Sequence, residues 1–227
     1  MEILDLILLA AGRGTRAVEP VAKQFLDLGG KPVLIRALSK FEGLPFVGTK
    51  YVTVHPDDIN FVQNLLLQHQ ITNFELVRGG KSRQESVRLA LEHVRTDRVI
   101  THNAALPFVT RELIRNVVRE NYPCVTTVTP VGYSLCRGEE FGEEMVHPEK
   151  LQVINTPQSF HTKTFRECHR KAYEENLEVR TDCELMLANG YQVKFVKGDP
   201  ENFKITTPLD VLLAKSLAAN KAEPENG

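Results

Sequence analysis

Apolar residues fall along the chain in short runs rich in Val, Ile and Leu, and these runs alternate with longer segments whose apolar positions recur every three to four residues. The short runs predict strands over Ile3–Leu9, Lys50–Val54, Phe74–Arg78, Arg98–His102, Cys124–Thr129 and Gln192–Lys197. The longer segments predict helices over Lys31–Phe41, Asp57–His69, Arg83–Val94, Thr110–Glu120, Lys163–Asn176, Asp182–Ala188 and Pro208–Ala219. Such alternation is the pattern of a mostly parallel α/β sheet with helices on both faces. No repeat and no Pro/Gly/Ser-rich linker divides the chain, so residues 1–219 are expected to form a single domain. The segment Gly132–Ile154 breaks the alternation, because it is polar, carries strand-compatible fragments and lacks a helical stripe. It predicts an arm over about 132–154 that leaves the main sheet and meets a second subunit, and the polar tail 220–227 is expected to be disordered.

Composition narrows the class. Of 227 residues, 42% are hydrophobic and 25% charged, an ordinary globular balance that can hold a core without disulfides or a structural metal. The 28 basic and 29 acidic residues leave a formal charge of −1, which argues against a general nucleic-acid binder but not against a small anionic ligand. No apolar stretch has the roughly 20 residues that cross a bilayer, and the start reads as a strand and not as a signal peptide. A cytoplasmic location and no membrane partner are therefore expected. Cys124, Cys136, Cys168 and Cys183 form no CxxC pair and are read as free thiols, and the seven histidines show no metal-ligand spacing. No protein metal site is expected.

The first strand ends in Ala10-Ala11-Gly12-Arg13-Gly14-Thr15-Arg16-Ala17. Gly12-x-Gly14-x-x-Ala17 satisfies the loose dinucleotide fingerprint, but Pro20 would sit inside the helix that a Rossmann turn must open, and no Walker A loop is present. The loop does carry two cations, Arg16 and Lys23. A glycine loop whose N–H groups face a triphosphate, with Arg and Lys beside the leaving oxygens, is what phosphoryl or nucleotidyl transfer requires. A turn with two solvated cations accounts for the segment equally well when it is taken alone.

Four further motifs follow in order: Gly79-Gly80-Lys81-Ser82-Arg83-Gln84-Glu85-Ser86-Val87, His102-Asn103-Ala104-Ala105-Leu106-Pro107, Thr156-Pro157-Gln158-Ser159-Phe160, and Asn202-Phe203-Lys204-Ile205-Thr206-Thr207-Pro208. Together with the AAGxGxR…KQ start, they resemble the 2-C-methyl-D-erythritol 4-phosphate cytidylyltransferase family over about Leu6 to Leu217, and ribitol-5-phosphate cytidylyltransferases share these motifs. The resemblance implies a doubly wound, Rossmann-like nucleotidyltransferase with a protruding β-arm that clasps a second copy in a homodimer. It implies CTP and a small polyol phosphate as ligands. Carried onto this chain, Ala10, Ala11, Gly12 and Gly14 wrap the nucleotide, Gly79, Gly80, Ser86 and Ala104 hold the base end, and Arg83 supports that loop. Arg16, Lys23 and Lys204 are implied as catalytic cations, and Asn103, Ser134 and Thr181 as acceptor contacts. The attacking phosphate oxygen is already anionic at neutral pH, so no general base is needed. Mg²⁺ would be held mostly by the triphosphate.

The sequence also departs from the family. Its HDAxRP motif reads His102-Asn103-Ala104-Ala105-Leu106-Pro107, with an amide for the acid and leucine for the arginine. Ala22 stands at the proline of PKQ, and Pro148 at an arginine of the arm. Three readings are compatible with this. Asn103 serves as a neutral oxygen donor while His147, Lys150 or Arg137 supplies the missing phosphate contact; the acceptor differs; or the chain binds CTP and transfers little. Leu106 can equally be a core-facing residue without functional meaning. The leading expectation is a cytidylyltransferase acting on 2-C-methyl-D-erythritol 4-phosphate in isoprenoid precursor synthesis. Its alternatives are transfer to ribitol 5-phosphate or another polyol phosphate, a CTP-binding homologue, and, from Gly12-x-Gly14 alone, an NAD-dependent oxidoreductase.

Overall fold

The computed structural model describes residues 2–12 and 22–221. Gly14, Arg16 and the tail beyond Lys221 lie outside the described residues. Nine strands are described: β1 (Leu4–Leu9), β2 (Val47–Val54), β3 (Phe74–Arg78), β4 (Arg98–Asn103), β5 (Cys124–Pro130), β6 (Leu135–Arg137), β7 (Glu144–Val146), β8 (Gln152–His161) and β9 (Lys194–Lys197). The helices between them are α1 (Val33–Leu38), α2 (Ile59–Gln68), α3 (Arg83–Leu91), α4 (Arg111–Arg119), α5 (Thr162–Glu174), α6 (Asp182–Ala188) and α7 (Pro208–Asn220). Seven strands make one sheet in the order β3-β2-β1-β4-β8-β5-β9, and β6 and β7 pair separately. Within the seven, β8 alone runs antiparallel to its neighbours. This is the expected mostly parallel α/β sheet.

The pleat of β1 shows why helices cover both faces. Leu4, Leu6 and Leu8 enter a core with Leu34 and Leu38 of α1, Val62 and Leu66 of α2, and Ile114 and Val118 of α4. Ile7 points the other way, into a core with Val87 and Leu91 of α3, Phe165 of α5 and Leu185 and Met186 of α6. A strand buried on both sides reads as a continuous apolar run, which is the signal that located it. Asp5 interrupts that run at the end of the sheet away from the glycine loop, where its buried carboxylate accepts from the backbone N–H of Thr49 (2.9 Å) and Arg95 (3.0 Å).

Two expectations need correction. Gln192–Lys197 shortens to β9 at Lys194. More consequentially, the arm does not extend over 132–154, because Gln152, Val153 and Ile154 pair with Pro130, Thr129 and Val128 and so belong to β8 in the main sheet. The strand escaped the hydrophobic pattern because its middle, Asn155-Thr156-Pro157-Gln158-Ser159, is polar. Several of its polar groups find partners across the sheet, where Gln158 Nε2 donates to Thr126 Oγ1 at 2.8 Å and Thr156 Oγ1 meets His102 Nδ1 at 2.9 Å. The pairing passes from Thr126↔Gln158 to Thr127↔Asn155, so Thr156 and Pro157 form a bulge, the place where a sheet accepts proline. What leaves the sheet is a short ribbon, β6–β7, with an Arg137–Glu144 ion pair at 2.7 Å across it. Cys124, Cys168 and Cys183 are buried and Cys136 is exposed, all as free thiols.

Candidate active site

The strand order reverses between β1 and β4, and open α/β sheets bind ligands at the carboxyl ends of the strands at such a point. A cleft of about 520 Å³ lies there. Among the described residues it is lined by Leu9, Ala10, Ala11 and Gly12 after β1, Thr53 and His55 at the end of β2, Gly80, Lys81, Ser82, Arg83 and Ser86 after β3, Asn103, Ala104 and Ala105 after β4, and Lys23, Gln24 and Lys204. Segments as far apart in sequence as Leu9 and Lys204 thus meet because each follows a strand of one sheet.

Local hydrogen bonds fix each wall. The N–H of Ala10 bonds Thr53 O (3.0 Å), and the N–H of Ala104 bonds Leu9 O (3.0 Å), so the chain leaving β1 is tied to both neighbouring strands. Gln24, buried in the short turn Lys23–Phe25, donates from Nε2 to Ala10 O at 3.0 Å. That bond anchors the turn and places Lys23 on the cleft. Across from it, Ser82 caps α3 by accepting from Glu85 N (3.0 Å), and Ser86 Oγ accepts from Gly80 N (3.0 Å) while donating to Ser82 O (2.8 Å). Ser86 therefore shapes the glycine pair from below.

Gly79 is required by contact and not by an unusual backbone angle. A Cβ there would stand 2.2 Å from the Cβ of Ala11 and 3.2 Å from Val54 O, so the loops after β1 and β3 touch through hydrogen alone. Gly79→Ala is expected to push the two loops apart at a cost of about 1–3 kcal/mol, a melting temperature lower by ~2–12 °C for a chain of this size. Gly12→Ala serves as the control, since none of the described residues has an atom within 4 Å of its added Cβ, and it is expected to leave the melting temperature nearly unchanged.

Arg83 reaches from α3 to α6 and holds Asp182 through two parallel bonds, Nη1–Oδ1 at 2.7 Å and Nη2–Oδ2 at 2.6 Å. Burial alone would raise the Asp182 carboxyl, but the guanidinium outweighs it and holds the acid below its ordinary range. His169, whose Nε2 lies 4.0 Å from Asp182, is pushed down to about 4 by burial and is neutral at pH 7. His102, wholly buried at the end of β4, is likewise pushed down to about 4 by burial.

Of the residues singled out in the sequence, Ala10, Ala11, Gly12, Lys23, Gly80, Arg83, Ser86, Asn103, Ala104 and Lys204 line this one cleft, and Gly79 packs directly behind it. Ser134 and Thr181 do not line it. Ser134 is exposed next to β6, and Thr181 caps α6 by accepting from Glu184 N at 3.1 Å. Leu106 is fully buried, so its side chain faces the core and presents nothing to the cleft. Thr53 and His55 were missed because no motif marks them; their one signal is position, at the carboxyl end of the strand beside β1.

A family profile described as 2-C-methyl-D-erythritol 4-phosphate cytidylyltransferase matches residues 4–219. The protein of that name from Halalkalibacterium halodurans is 35% identical over 223 residues, spanning 96% of this chain and 97% of that one. The one from Clostridium novyi is 30% identical, over 94% and 96%. Among solved structures, the 2-C-methyl-D-erythritol 4-phosphate cytidylyltransferase of Thermus thermophilus superposes with a TM-score of 0.78 at 30% identity, covering 96% of this chain and all of that one. The 4-diphosphocytidyl-2C-methyl-D-erythritol synthase of Anaerococcus prevotii shares the fold at a TM-score of 0.85, with 22% identity over 96% of both chains. With near-full-length identity at this level and a matching sheet, the chain belongs to the 2-C-methyl-D-erythritol 4-phosphate cytidylyltransferase family.

Proposed function

We propose that this protein transfers a cytidylyl group from CTP to 2-C-methyl-D-erythritol 4-phosphate and releases pyrophosphate. The observation that carries the reading is the convergence of Lys23, Lys204 and the Gly79–Ser86 loop on one cleft at the switch point of the sheet. An anionic oxygen of the acceptor phosphate attacks the α-phosphorus of CTP, and the bond from that phosphorus to the bridging oxygen of the pyrophosphate breaks. No proton has to leave the attacking atom, so the cleft needs placement and positive charge and no general base. In this reading Ala10, Ala11, Gly12 and Gly14 wrap the nucleotide, while Gly79, Gly80, Ser86 and Ala104 take the base end. Arg83 acts behind them by holding the start of α3. Arg16 and Lys23 face the triphosphate, and Lys204 and Asn103 face the acceptor.

Mg²⁺ fits this lining in one way. The described lining offers amide and hydroxyl oxygens but no carboxylate, so the ion would be carried chiefly by triphosphate oxygens, its usual habit. It would neutralise charge on the leaving group.

We further propose that the protein works as a homodimer in the cytoplasm. No described helix is long and apolar enough to cross a membrane. Tyr133, just before the β6–β7 ribbon, and Phe141, between its strands, are 82% and 77% exposed, with Met145 of β7 also exposed, and a second copy of the chain is the proposed cover. Ser134 and Thr181 would then serve the acceptor side across the dimer. Replacing residues 134–146 with a short turn is expected to yield a monomer by light scattering, while the full chain runs as a dimer at micromolar concentration. A full chain that is monomeric under those conditions would count against the arrangement.

The function is tested by pyrophosphate release with CTP, ATP or GTP against 2-C-methyl-D-erythritol 4-phosphate and ribitol 5-phosphate. Turnover is expected with CTP and the methylerythritol acceptor. Thermal stabilisation by NADH and not by CTP–Mg²⁺ would overturn the reading, since a ligand stabilises only the state that binds it.

A further inference from the structure

The altered third motif sits on a buried hydrogen-bond chain that runs to the opposite side of the acceptor half of the cleft. We propose that Thr156 and His102 are positioning residues: together they orient Asn103 and, through the backbone of Thr156, the segment that carries Lys204. The proposal rests on the transferase reading above.

The direction of each bond follows from which groups can donate. His102 Nε2 lies 3.0 Å from the carbonyl oxygen of Leu106, which only accepts, so Nε2 carries the proton. The buried ring is neutral, and its Nδ1 therefore has a bare lone pair. Thr156 Oγ1 stands 2.9 Å from that Nδ1 and must donate its single proton to it. The hydroxyl oxygen is then free to accept, and it does so from the N–H of Asn103 at 3.2 Å. Each proton in the chain has one place to go.

Thr156 is also held from the other side. Asn202 Nδ2 donates to Thr156 O at 2.8 Å, Asn155 Nδ2 donates to Asn202 O at 2.9 Å, and the N–H of Ile205 reaches Ala105 O at 2.9 Å. Lys204 lies between Asn202 and Ile205. The bulge in β8 thus supplies one residue whose hydroxyl fixes Asn103 and whose carbonyl fixes the Lys204 segment. Its neighbour across the nucleotide half, Ala104, is pinned separately by Leu9 O, so a disturbance at Thr156 is expected to be felt by the acceptor and not by CTP.

Thr156→Val keeps the shape and removes the hydroxyl, leaving the N–H of Asn103 and Nδ1 of His102 without a partner. Its kcat/KM for 2-C-methyl-D-erythritol 4-phosphate is expected to fall by about tenfold or more, the effect of leaving a buried polar group unpaired. KM for CTP and the thermal shift given by CTP–Mg²⁺ are expected to stay within twofold of the wild type, and Thr156→Ser is expected to restore the acceptor kinetics. An unchanged acceptor kcat/KM in a folded Thr156→Val protein, or equal losses toward CTP and acceptor, would overturn the role. Should Thr156→Val fail to fold, nitrogen-15 NMR of the wild-type histidines still decides the geometry. The Nε2–H tautomer of His102 at neutral pH is expected, and the Nδ1–H tautomer would overturn the relay. A wild-type protein that turns over no polyol phosphate while showing the Nε2–H tautomer would locate the failure in the transferase reading, and with it the positioning role.

Discussion

Lys23→Ala is expected to lower kcat by two decades or more and to leave the melting temperature close to that of the wild type. The side chain is half-buried in a short turn whose anchor is the buried Gln24, bonded to Ala10 O, and the turn keeps that anchor when the Lys23 ammonium is removed. In the proposed reaction, what is lost is a point charge that would face oxygens gaining negative charge as the α-phosphorus passes through its five-coordinate state. Removing one preorganised contact of this kind costs about 2.7–4 kcal/mol, or 10²–10³ in rate. Lys23→Arg keeps the charge but changes its shape and reach, and is expected to fall between the two. Steady-state kinetics with CTP varied at saturating acceptor separate the cases: the loss belongs in kcat, because the interaction strengthens toward the transition state. A Lys23→Ala protein with wild-type turnover would refute the role. Arg16→Ala, at a residue outside those described, carries the same expectation from its place in the glycine loop.

Different parts of this molecule were legible for different reasons. β3 and α6 were read to the residue, and β1 to within one position, because burial on one or both faces leaves an apolar period. β8 was not, because its central residues are polar and bond across to neighbouring elements: Gln158 is 2% exposed and donates to Thr126. Its place in the sheet is written in the pairing of side chains across strands, which no one-dimensional period records. In the site, the glycines and cations of the motifs were legible as types. Their roles in support were not. Gln24 was part of the KQ signature, but only the fold shows its amide reaching back to Ala10. Leu106 was ambiguous from sequence, and burial settles that its side chain packs inward while its backbone serves the motif, the carbonyl accepting from His102 and the N–H donating to Asn103 O at 3.0 Å. The arm boundary was overrun because Val153 and Ile154 are exposed despite being apolar, so their alternation carried no sidedness.

Arg83→Ala is expected to destabilise the protein by about 3–5 kcal/mol at pH 7, the usual result of removing one partner of a buried ion pair. For a chain of this size that is a melting temperature lower by ~6–20 °C. The cause is Asp182, which is 1% exposed and loses both of its short bonds to the guanidinium. The pH dependence fixes the mechanism. In the wild type the folded-state pKa of Asp182 lies below the unfolded value of about 3.9, so the pair stabilises the fold fully above that pH and its contribution is lost as pH falls through the folded value. In Arg83→Ala the sign reverses. Burial, then opposed only by the neighbouring Thr101 hydroxyl and by His169 once it is protonated, raises the carboxyl above its unfolded value, so the variant is expected to lose stability as pH rises past about 4. The gap between the two proteins should therefore be wide at pH 7 and narrow toward pH 4. Part of the loss is offset within the site, because Arg83 is one of the charges that hold His169 neutral, and without it the imidazole 4.0 Å from Asp182 can take up a proton and stand in as its partner. Adding Asp182→Asn to Arg83→Ala removes the orphaned charge and should recover stability at pH 7. A melting temperature for Arg83→Ala equal to that of the wild type across pH 4–8 would show that the pair holds nothing together. A loss that does not change with pH would move the cause from the buried carboxylate to the packing of the Arg83 side chain between α3 and α6.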